Sequence, residues 1–172
     1  MSGLITEALI VRQRLSGEID AETYRARQSV GYLIKRASAL VIESVEPALE
    51  AHGFTFTQWV VMMYLRDGLA PTAKDLCVQL RHDSGAVTRV IDQLEARELV
   101  RRERSLTDRR EVKLRLTELG LKTVESLVPV VVDLLNFVLR DFSTVEVAEL
   151  TRLLTKFIIA CGVTDDERGE TA

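Results

Sequence analysis

The sequence predicts a mainly α-helical fold that contains one short β-hairpin. Apolar residues recur at helical spacing along most of the 172 residues. From Leu99 to Leu116 the period changes to two, and apolar residues alternate with charged ones as in a half-buried strand. Sequences that begin at Thr55, Thr72 and Ser143 have an acidic residue or glutamine three positions later, which is the form of a box that caps the start of a helix.

The amphipathic segments predict six helices. In chain order they span residues 27–51, 55–66, 72–80, 84–97, 118–140 and 143–161. Residues 4–15 are compatible with a further short helix, and the polar tail 164–172 is expected to be disordered. Pro47 and Pro129 are expected to bend their helices, because an interior proline removes a backbone hydrogen bond. The side of the second helix that is expected to face the core carries Phe56, Trp59, Val60 and Met63.

Composition argues against several classes of protein. The apolar fraction of 47% is normal for a folded chain, and no apolar run is long enough for a bilayer, so we expect a cytoplasmic protein without a membrane partner. Two distant cysteines, Cys77 and Cys161, and only two histidines predict neither a disulfide framework nor a metal site. No glycine-rich phosphate loop, Gly-x-Ser-x-Gly elbow or pair of histidine ligands is present. We therefore expect neither an enzyme nor a cofactor.

The charge is unevenly distributed along the chain. The formal net charge is −3. Between Arg97 and Arg115, however, eight basic and four acidic residues give +4, which leaves −7 for the remainder. A nucleic acid responds to the local field within about a Debye length, ~8 Å at physiological salt. A basic segment on an acidic body therefore fits a DNA-binding surface better than the net charge suggests.

The helix before this basic segment has one small, polar face. Asp83 is a suitable N-cap, and Val87, Val90, Ile91 and Leu94 form the apolar side. The opposite face carries Ser84, Gly85, Thr88, Arg89 and Asp92. A polar-faced helix preceded by a short helix and followed by an arginine-rich hairpin is the layout of a winged helix-turn-helix. The alternative is that the charged hairpin is only a solvated surface, but its position directly after this helix favours a wing.

The run LVRRERSLTDRREVKLRLTELG resembles the wing of the MarR family (multiple antibiotic resistance regulators). The family signature is Asp-x-Arg at the wing tip, followed by a strand that ends in Leu-Thr-x-x-Gly. Here those positions are Asp108 and Arg110, and then Leu116, Thr117 and Gly120. The preceding VTRVIDQLEARELV resembles the recognition helix, and the resemblance covers roughly residues 27–161.

One position departs from the family pattern. Glu98 stands where the family usually has a glycine that ends the recognition helix in a left-handed turn. Either this turn is built differently, or Glu98 carries some backbone strain.

The resemblance implies one MarR-like domain over residues 1–172. Residues 55–117 would form the winged helix-turn-helix, and residues 20–53 and 118–161 the dimerisation helices. The apolar stripes of these terminal helices also exceed what one winged unit can cover, which favours a homodimer. Two recognition helices about one turn of double-stranded DNA apart, ~34–36 Å, would read a pseudo-palindromic operator. Such a regulator is expected to be a repressor that a small aromatic or phenolic effector releases.

Roles on the recognition helix follow from side-chain chemistry. Ser84, Thr88 and Arg89 are expected to face the major groove, where hydroxyls bond phosphates or bases and arginine bonds guanine. Gly85 would permit close approach of the backbone. The alternative for Arg89 is an internal ion pair, for example with Asp108.

Roles on the wing depend on charge. Arg110 is expected to enter the minor groove, which is electrostatically attractive where it is narrow. Arg104, Arg109 and Lys113 are expected to touch phosphates. Asp108 is acidic beside DNA, so we expect it to position the arginines.

The effector and the sensing chemistry are open at this point. Trp59 and Met63, one turn apart, are candidates to line an effector pocket, although ordinary core positions are the simpler interpretation of each alone. A redox sensor would use Cys77 or Cys161, but neither has adjacent basic residues to activate it. A winged-helix interaction module without DNA binding is the other alternative, and the arginines at 89 and 110 argue against it.

Overall fold

The computed structural model describes residues 19–104 and 112–162. These residues form a 3₁₀ turn, Ala26–Gln28, then six α-helices and one hairpin. The elements are α1 Val30–Ala51, α2 Phe56–Arg66, α3 Ala73–Leu80, α4 Ser84–Ala96, β1 Val100–Arg104, β2 Val112–Leu116, α5 Glu118–Val138 and α6 Thr144–Ala160. The mainly α-helical fold with a β-hairpin is confirmed. The predicted helix at 4–15 and the tail 164–172 lie outside the described residues.

The chain divides into two compact units, residues 1–41 and 42–172, and the boundary falls within α1. In the described part of the first unit, the 3₁₀ turn leads into the first half of α1. Val30, Leu33 and Leu40 of that half are exposed.

The second unit contains the core. Its buried apolar side chains come from every helix except α6, from both strands and from the connections, and they include Val45, Leu49, Val61, Met62, Ala70, Leu76, Val87, Ile91, Leu94, Leu99, Val100, Leu114, Val124, Leu127 and Val131. The buried residues of α4 recur at i, i+4 and i+7, which is the spacing of one helical face. Its opposite face therefore remains open to solvent.

The predicted helix starts are confirmed by their caps. Thr55 accepts a hydrogen bond from the N–H of Gln58 at 3.2 Å, and the Gln58 side chain accepts one from the N–H of Thr55 at 3.1 Å. Reciprocal capping boxes also start α3 at Thr72 and α6 at Ser143. Each box satisfies backbone donors that have no partner within the helix.

The buried side of α2 differs from the prediction. Its buried residues are Gln58, Val61 and Met62. Phe56, Trp59, Val60 and Met63, the residues predicted to face the core, are only half-buried. Apolar residues occupy almost every position of this helix, so periodicity could not select the face. The amide of Gln58 is tolerated inside because both of its ends form hydrogen bonds.

The hairpin is antiparallel, with Arg102 opposite Leu114 and Arg104 opposite Val112. The expected alternation holds at the buried Leu114, but Val112 is 42% exposed because it lies at the outer end of the strand. The N–H of Leu114 donates to the carbonyl of Pro71 at 2.8 Å, so the residues before α3 extend the sheet along β2.

The long helices pass through both interior prolines, Pro47 in α1 and Pro129 in α5, without a break in either helix. In the part of the chain that the structure describes, no helix is long and apolar enough to cross a membrane.

The last helix is packed differently from the others. No residue of α6 is buried, and seven of its large apolar side chains are exposed, namely Val145, Leu150, Leu153, Leu154, Phe157, Ile158 and Ile159. Phe137 and Phe142, near the end of α5, are exposed as well. Residues 19–104 and 112–162 therefore leave a long apolar face of α6 uncovered.

Candidate nucleic-acid interface

The polar face of α4 is presented to solvent from its first residue. Ser84, Gly85, Thr88 and Arg89 are all exposed, as the sequence predicted. Asp83 caps the helix by accepting the N–H of Ala86 at 2.9 Å. The first two turns of α4 therefore offer hydroxyls, a bare backbone and a guanidinium on one surface.

Arg89 forms neither a hydrogen bond nor an ion pair with any side chain in the described ranges, 19–104 and 112–162. Its charge acts on Asp83, whose pKa is lowered mainly by the hydrogen bond from the Ala86 N–H and to a smaller extent by the attraction of Arg89. Asp83 therefore stays ionised as the cap, and no carboxylate among the described residues forms an ion pair with the guanidinium of Arg89. The alternative partner, Asp108, lies outside the described residues.

The turn before α4 is tight. Arg81 ends α3 in the left-handed region, with φ of 51°, and its N–H reaches the carbonyls of Cys77 and Val78. Two residues later Asp83 starts the next helix. The helix-turn-helix is therefore formed by α3, this turn and α4.

The end of α4 shows how the turn at Glu98 is built. Glu98 has φ of 57°, in the left-handed region. The N–H of Glu98 donates to the carbonyl of Glu95 at 2.9 Å, and that of Leu99 donates to Leu94 at 3.0 Å. This pair of hydrogen bonds is the Schellman motif that glycine usually closes. The turn is therefore the ordinary one, and Glu98 carries the backbone strain.

The Leu-Thr-x-x-Gly sequence is a structural joint between this turn and α5. The hydroxyl of Thr117 donates to the carbonyl of Glu98 at 2.6 Å and accepts the N–H of Gly120 at 2.9 Å. The N–H of Thr117 donates to the carbonyl of Leu99 at 3.0 Å. A Cβ on Gly120 would lie 1.9 Å from that same carbonyl oxygen, so only glycine allows this approach. The motif thereby fixes the start of α5 to the end of α4.

One face of the hairpin is a network of charges. Glu103 binds two arginines, the Nε of Arg101 at 2.8 Å and the Nε of Arg115 at 3.0 Å. Lys113 is half-buried opposite Glu103, and its backbone bridges to Thr72. Arg101, Lys113 and Arg115 line a groove of about 560 Å³ between the hairpin, the end of α2 and the start of α5.

Arg102 points to the other face and contacts α4. Its Nη2 lies 2.6 Å from Oδ1 of Asp92, and its Nη1 binds the carboxylate of Glu95. The hydrogen bond to Asp92 raises the pKa of Arg102. Sequence reasoning counted Arg102 only as part of a basic field and assigned it no role. The signal that could have found it is the pair of carboxylates three residues apart on the preceding helix.

Other arginines of the basic segment are also held within the chain. Arg97 donates to the carbonyl of Gly53 at 2.8 Å and stacks over the Phe54 ring at 3.9 Å. The side chain of Arg104 is exposed and forms neither a hydrogen bond nor an ion pair with the residues described. Asp108, Arg109 and Arg110 lie outside the described residues. Fewer of the positive charges between Arg97 and Arg115 are therefore available to DNA than the local charge of +4 suggests.

The candidate effector residues lie on α2. The indole Nε1 of Trp59 is buried and has no hydrogen-bond partner within the described structure. Its ring packs against Phe56, with the ring centroids 5.8 Å apart, and Met63 is half-buried one turn further on. The neighbouring Gln58 donates from Nε2 to Oε1 of Gln93 on α4 at 2.9 Å. Neither Trp59 nor Met63 lines the groove beside the hairpin.

Comparison with known proteins agrees with this geometry. A family model described as "MarR family" matches residues 52–111. The HTH-type transcriptional regulator MgrA of Staphylococcus aureus is 31% identical over 118 residues, which are 67% of this chain and 78% of MgrA. A transcriptional regulator of this kind is not an enzyme.

Two solved structures are similar in fold and in sequence. A mutant of MarR from E. coli complexed with operator DNA is 29% identical with a TM-score of 0.65, covering 74% of this chain and 92% of that one. BpsR of Bordetella bronchiseptica, whose structure concerns regulation of DNA binding by 6-hydroxynicotinic acid, is 28% identical with a TM-score of 0.68, covering 78% and 96%. The chain thus belongs to the MarR family of winged-helix, DNA-binding transcriptional regulators.

Proposed function

We propose that this protein is a homodimeric repressor that binds a pseudo-palindromic operator and leaves it when a small aromatic acid binds. The observation that carries the proposal is the exposed polar face of α4, on which Arg89 has no partner among the described residues. The proposed mode of repression is steric, because a dimer on a promoter excludes the polymerase. A cytoplasmic location stays a prediction.

The dimer is supported by the apolar face of α6. Seven of its large apolar side chains are exposed, with Val145 at 75% and Ile158 at 51%. A contiguous face of this kind is unusual on a monomer, and a second copy of the same helices would bury it. Light scattering at micromolar concentration should give the mass of two chains. Removal of the chain from Ser143 onward should cause aggregation or loss of the dimer, whereas a stable monomer of the full chain would contradict this assembly.

DNA contacts are assigned by exposure and charge. Ser84, Thr88 and Arg89 would read the major groove, and Gly85 would allow the backbone of α4 to approach. Wing contacts would come from Arg104, Asp108, Arg109, Arg110 and Lys113, with Arg110 in the minor groove, the other cations on phosphates and Asp108 positioning them. The DNA contacts of α4 and those of the hairpin are both proposals.

The DNA-binding proposal is tested by mobility shift on the region upstream of the protein's own gene. Arg89→Ala should relax base preference within each half-site more than it weakens binding to random DNA, since one good arginine–guanine pair discriminates by ~1–3 kcal/mol. Arg66→Ala is a matched control, because Arg66 lies at the end of α2, outside α4 and the hairpin, and pairs with the adjacent Asp67 at 2.8 Å. Equal discrimination by wild type and Arg89→Ala would contradict the assignment. Complete absence of salt-sensitive binding by the wild type would favour the interaction module.

The effector proposal is supported by the buried indole N–H of Trp59, which has no acceptor among the described residues. A buried donor without a partner is costly, and a carboxylate or phenolate of an aromatic ligand would satisfy it. The DNA binding of BpsR, a protein of similar fold and sequence, is regulated by such an aromatic acid. The half-buried Met63 would contribute a polarisable contact to the ring.

Salicylate and 6-hydroxynicotinic acid are suitable probes. Each should quench the fluorescence of Trp59, the only tryptophan. The ligand should lower operator affinity only by as much as it binds the DNA-incompetent conformation more tightly than the DNA-binding conformation. Calorimetry on Trp59→Phe, which keeps a ring and removes the N–H, should show weaker binding of the same probe. If no phenolic or aromatic acid binds, the effector proposal is wrong. The redox alternative, with half-buried Cys77 or exposed Cys161, would then be tested by oxidation.

A further inference from the structure

We infer that Arg102 is a positioning residue that fastens the wing to the recognition helix, and that its contribution to DNA binding does not come from touching DNA. The guanidinium spans two carboxylates on α4, with 2.6 Å between Nη2 and Asp92 and a second contact from Nη1 to Glu95. We call these three residues the wing clamp. The inference rests on the proposed DNA-reading role of α4 and the hairpin.

The position of Arg102 on its strand explains why a fastening is needed there. The strand β2 is held along its outer edge, where Leu114 donates to Pro71 and Lys113 bridges to Thr72. In the part of the chain that the structure describes, the strand β1 has no such neighbour, because the sheet has two strands in the order β1–β2. Among the described residues, Arg102 supplies all the side-chain hydrogen bonds from β1 to α4. Its loss would leave β1 attached to α4 only through the turn at Glu98 and local packing.

The carboxylates of the wing clamp would repel DNA phosphates, which bears on why they are present. Asp92 lies on the same helix as Arg89 and is 57% exposed at its side chain, so without Arg102 its carboxylate would face the phosphates. The clamp holds two negative charges and one positive charge, so it has a net charge of −1. A surface that gains from contact with DNA would be expected to lose such carboxylates. Their presence is explained if what they contribute is the attachment of the wing.

The positioning role of the wing clamp and its negative charge predict opposite effects on operator affinity when its carboxylates are removed. Asp92→Ala with Glu95→Ala removes two negative charges per chain from the DNA-binding side. By charge alone, the double variant should bind every DNA more tightly and with a steeper salt dependence. If the wing clamp positions the wing, the same variant should bind its operator about tenfold more weakly. Alanine is a better helix former than aspartate, so weakening of α4 does not account for such a loss.

The experiment measures operator and random-duplex binding across a salt series for the wild type and the variants. The operator probe is a labelled duplex from the region upstream of the protein's own gene, and the random duplex has the same length. Expected for the double alanine variant are a tenfold loss on the operator, no loss on random DNA, and a flatter salt slope on the operator. Every phosphate that a loosened wing no longer touches lowers the slope by about 0.9. Equal or tighter operator binding by this variant would overturn the inference.

Single substitutions supply the controls. Arg102→Gln removes the clamp and one positive charge, whereas Arg101→Gln removes one positive charge from the neighbouring position, which binds Glu103 on the other face. Arg102→Gln should lose operator affinity several-fold more than Arg101→Gln, and equal losses would overturn the inference. Arg102→Lys should recover part of the loss, because an ammonium reaches one carboxylate but cannot span two.

Hydrogen exchange gives a readout that does not depend on DNA. Amides of the hairpin should exchange faster in Arg102→Gln than in Arg101→Gln, with unchanged exchange in the core of α5. Unchanged hairpin exchange would overturn the clamp even if DNA binding were lost. A wild type that shows no preference for its upstream DNA would instead count against the proposed operator function, and the exchange comparison would still decide the clamp.

Discussion

Replacement of Glu98 by glycine should stabilise the protein, because the turn that ends α4 forces this residue to φ of 57°. A left-handed conformation costs a residue with a Cβ about 1–2 kcal/mol. Glycine avoids this cost but loses ~0.5–1 kcal/mol more backbone entropy on folding. Loss of a carboxylate at the negative end of a helix adds ~0.3 kcal/mol in favour of glycine. The net gain should therefore be about 1 kcal/mol.

The remaining interactions at this turn should survive the substitution. Thr117 bonds the backbone carbonyl of residue 98, which glycine retains. The Glu98 side chain is exposed and forms neither a hydrogen bond nor an ion pair with the described residues. Hence Glu98→Gly should cost no tertiary contact. The midpoint of thermal unfolding should rise by ~2–4 °C, as expected for about 1 kcal/mol in a chain of this size.

The measurement is urea unfolding at one fixed protein concentration, since the apparent stability of the proposed dimer would depend on concentration. Glu98→Ala is the matched control, because alanine loses the carboxylate but keeps the Cβ and hence the strain. Its stability should change by only a few tenths of a kcal/mol. If alanine stabilised as much as glycine, the carboxylate and not the backbone would be the cause. A less stable glycine variant would refute the strain argument.

Further substitutions test other parts of the structure. Gly120→Ala should lower the free energy of unfolding by ~1–3 kcal/mol, because the new methyl meets a backbone oxygen, whereas Gly31→Ala, with nothing within 4 Å, should raise it by ~0.5–1 kcal/mol in urea unfolding. Arg110→Ala should weaken operator binding by ~1–3 kcal/mol and flatten the salt slope by about 1.8 if both wings of a dimer engage; an unchanged slope would exclude wing contacts. Gln58→Met should cost ~1–2 kcal/mol of stability because the N–H of Thr55 loses the acceptor of its capping box, and Gln93→Ala, which leaves that box intact, should cost less.

The sequence was sufficient to predict features that depend on residues close together in the chain. Helix starts followed from the side chains of Thr55, Thr72 and Ser143, which bond backbone groups three residues away. The exposed face of α4 followed from its 3.6-residue period. Even the strain at Glu98 was one of two alternatives, because the position of the turn could be recognised without coordinates.

Features that depend on distant partners could not be predicted. Gln58 is buried because it meets Gln93, 35 positions away in the chain. Arg102 was counted with the DNA-attracting charges, yet it is held by carboxylates on the preceding helix. Nothing in a local pattern distinguishes an arginine that is paired within the protein from one that is available to a phosphate.

Because α5 is fixed at its start by the joint at Thr117 and Gly120, a small tilt there moves the far end of the helix by a larger distance. The helix has 21 residues, so at 1.5 Å per residue it is ~31 Å long. A tilt of roughly 5° about the joint moves its far end by ~3 Å, which is the reach of one side chain. Conversely, a small repacking of the apolar far ends would rotate the joint by only a few degrees. Because the carbonyls of residues 98 and 99 are bonded at that joint, the end of α4 would turn with it. In the proposed dimer, modest changes where the two chains meet would thereby change the angle between the two recognition helices.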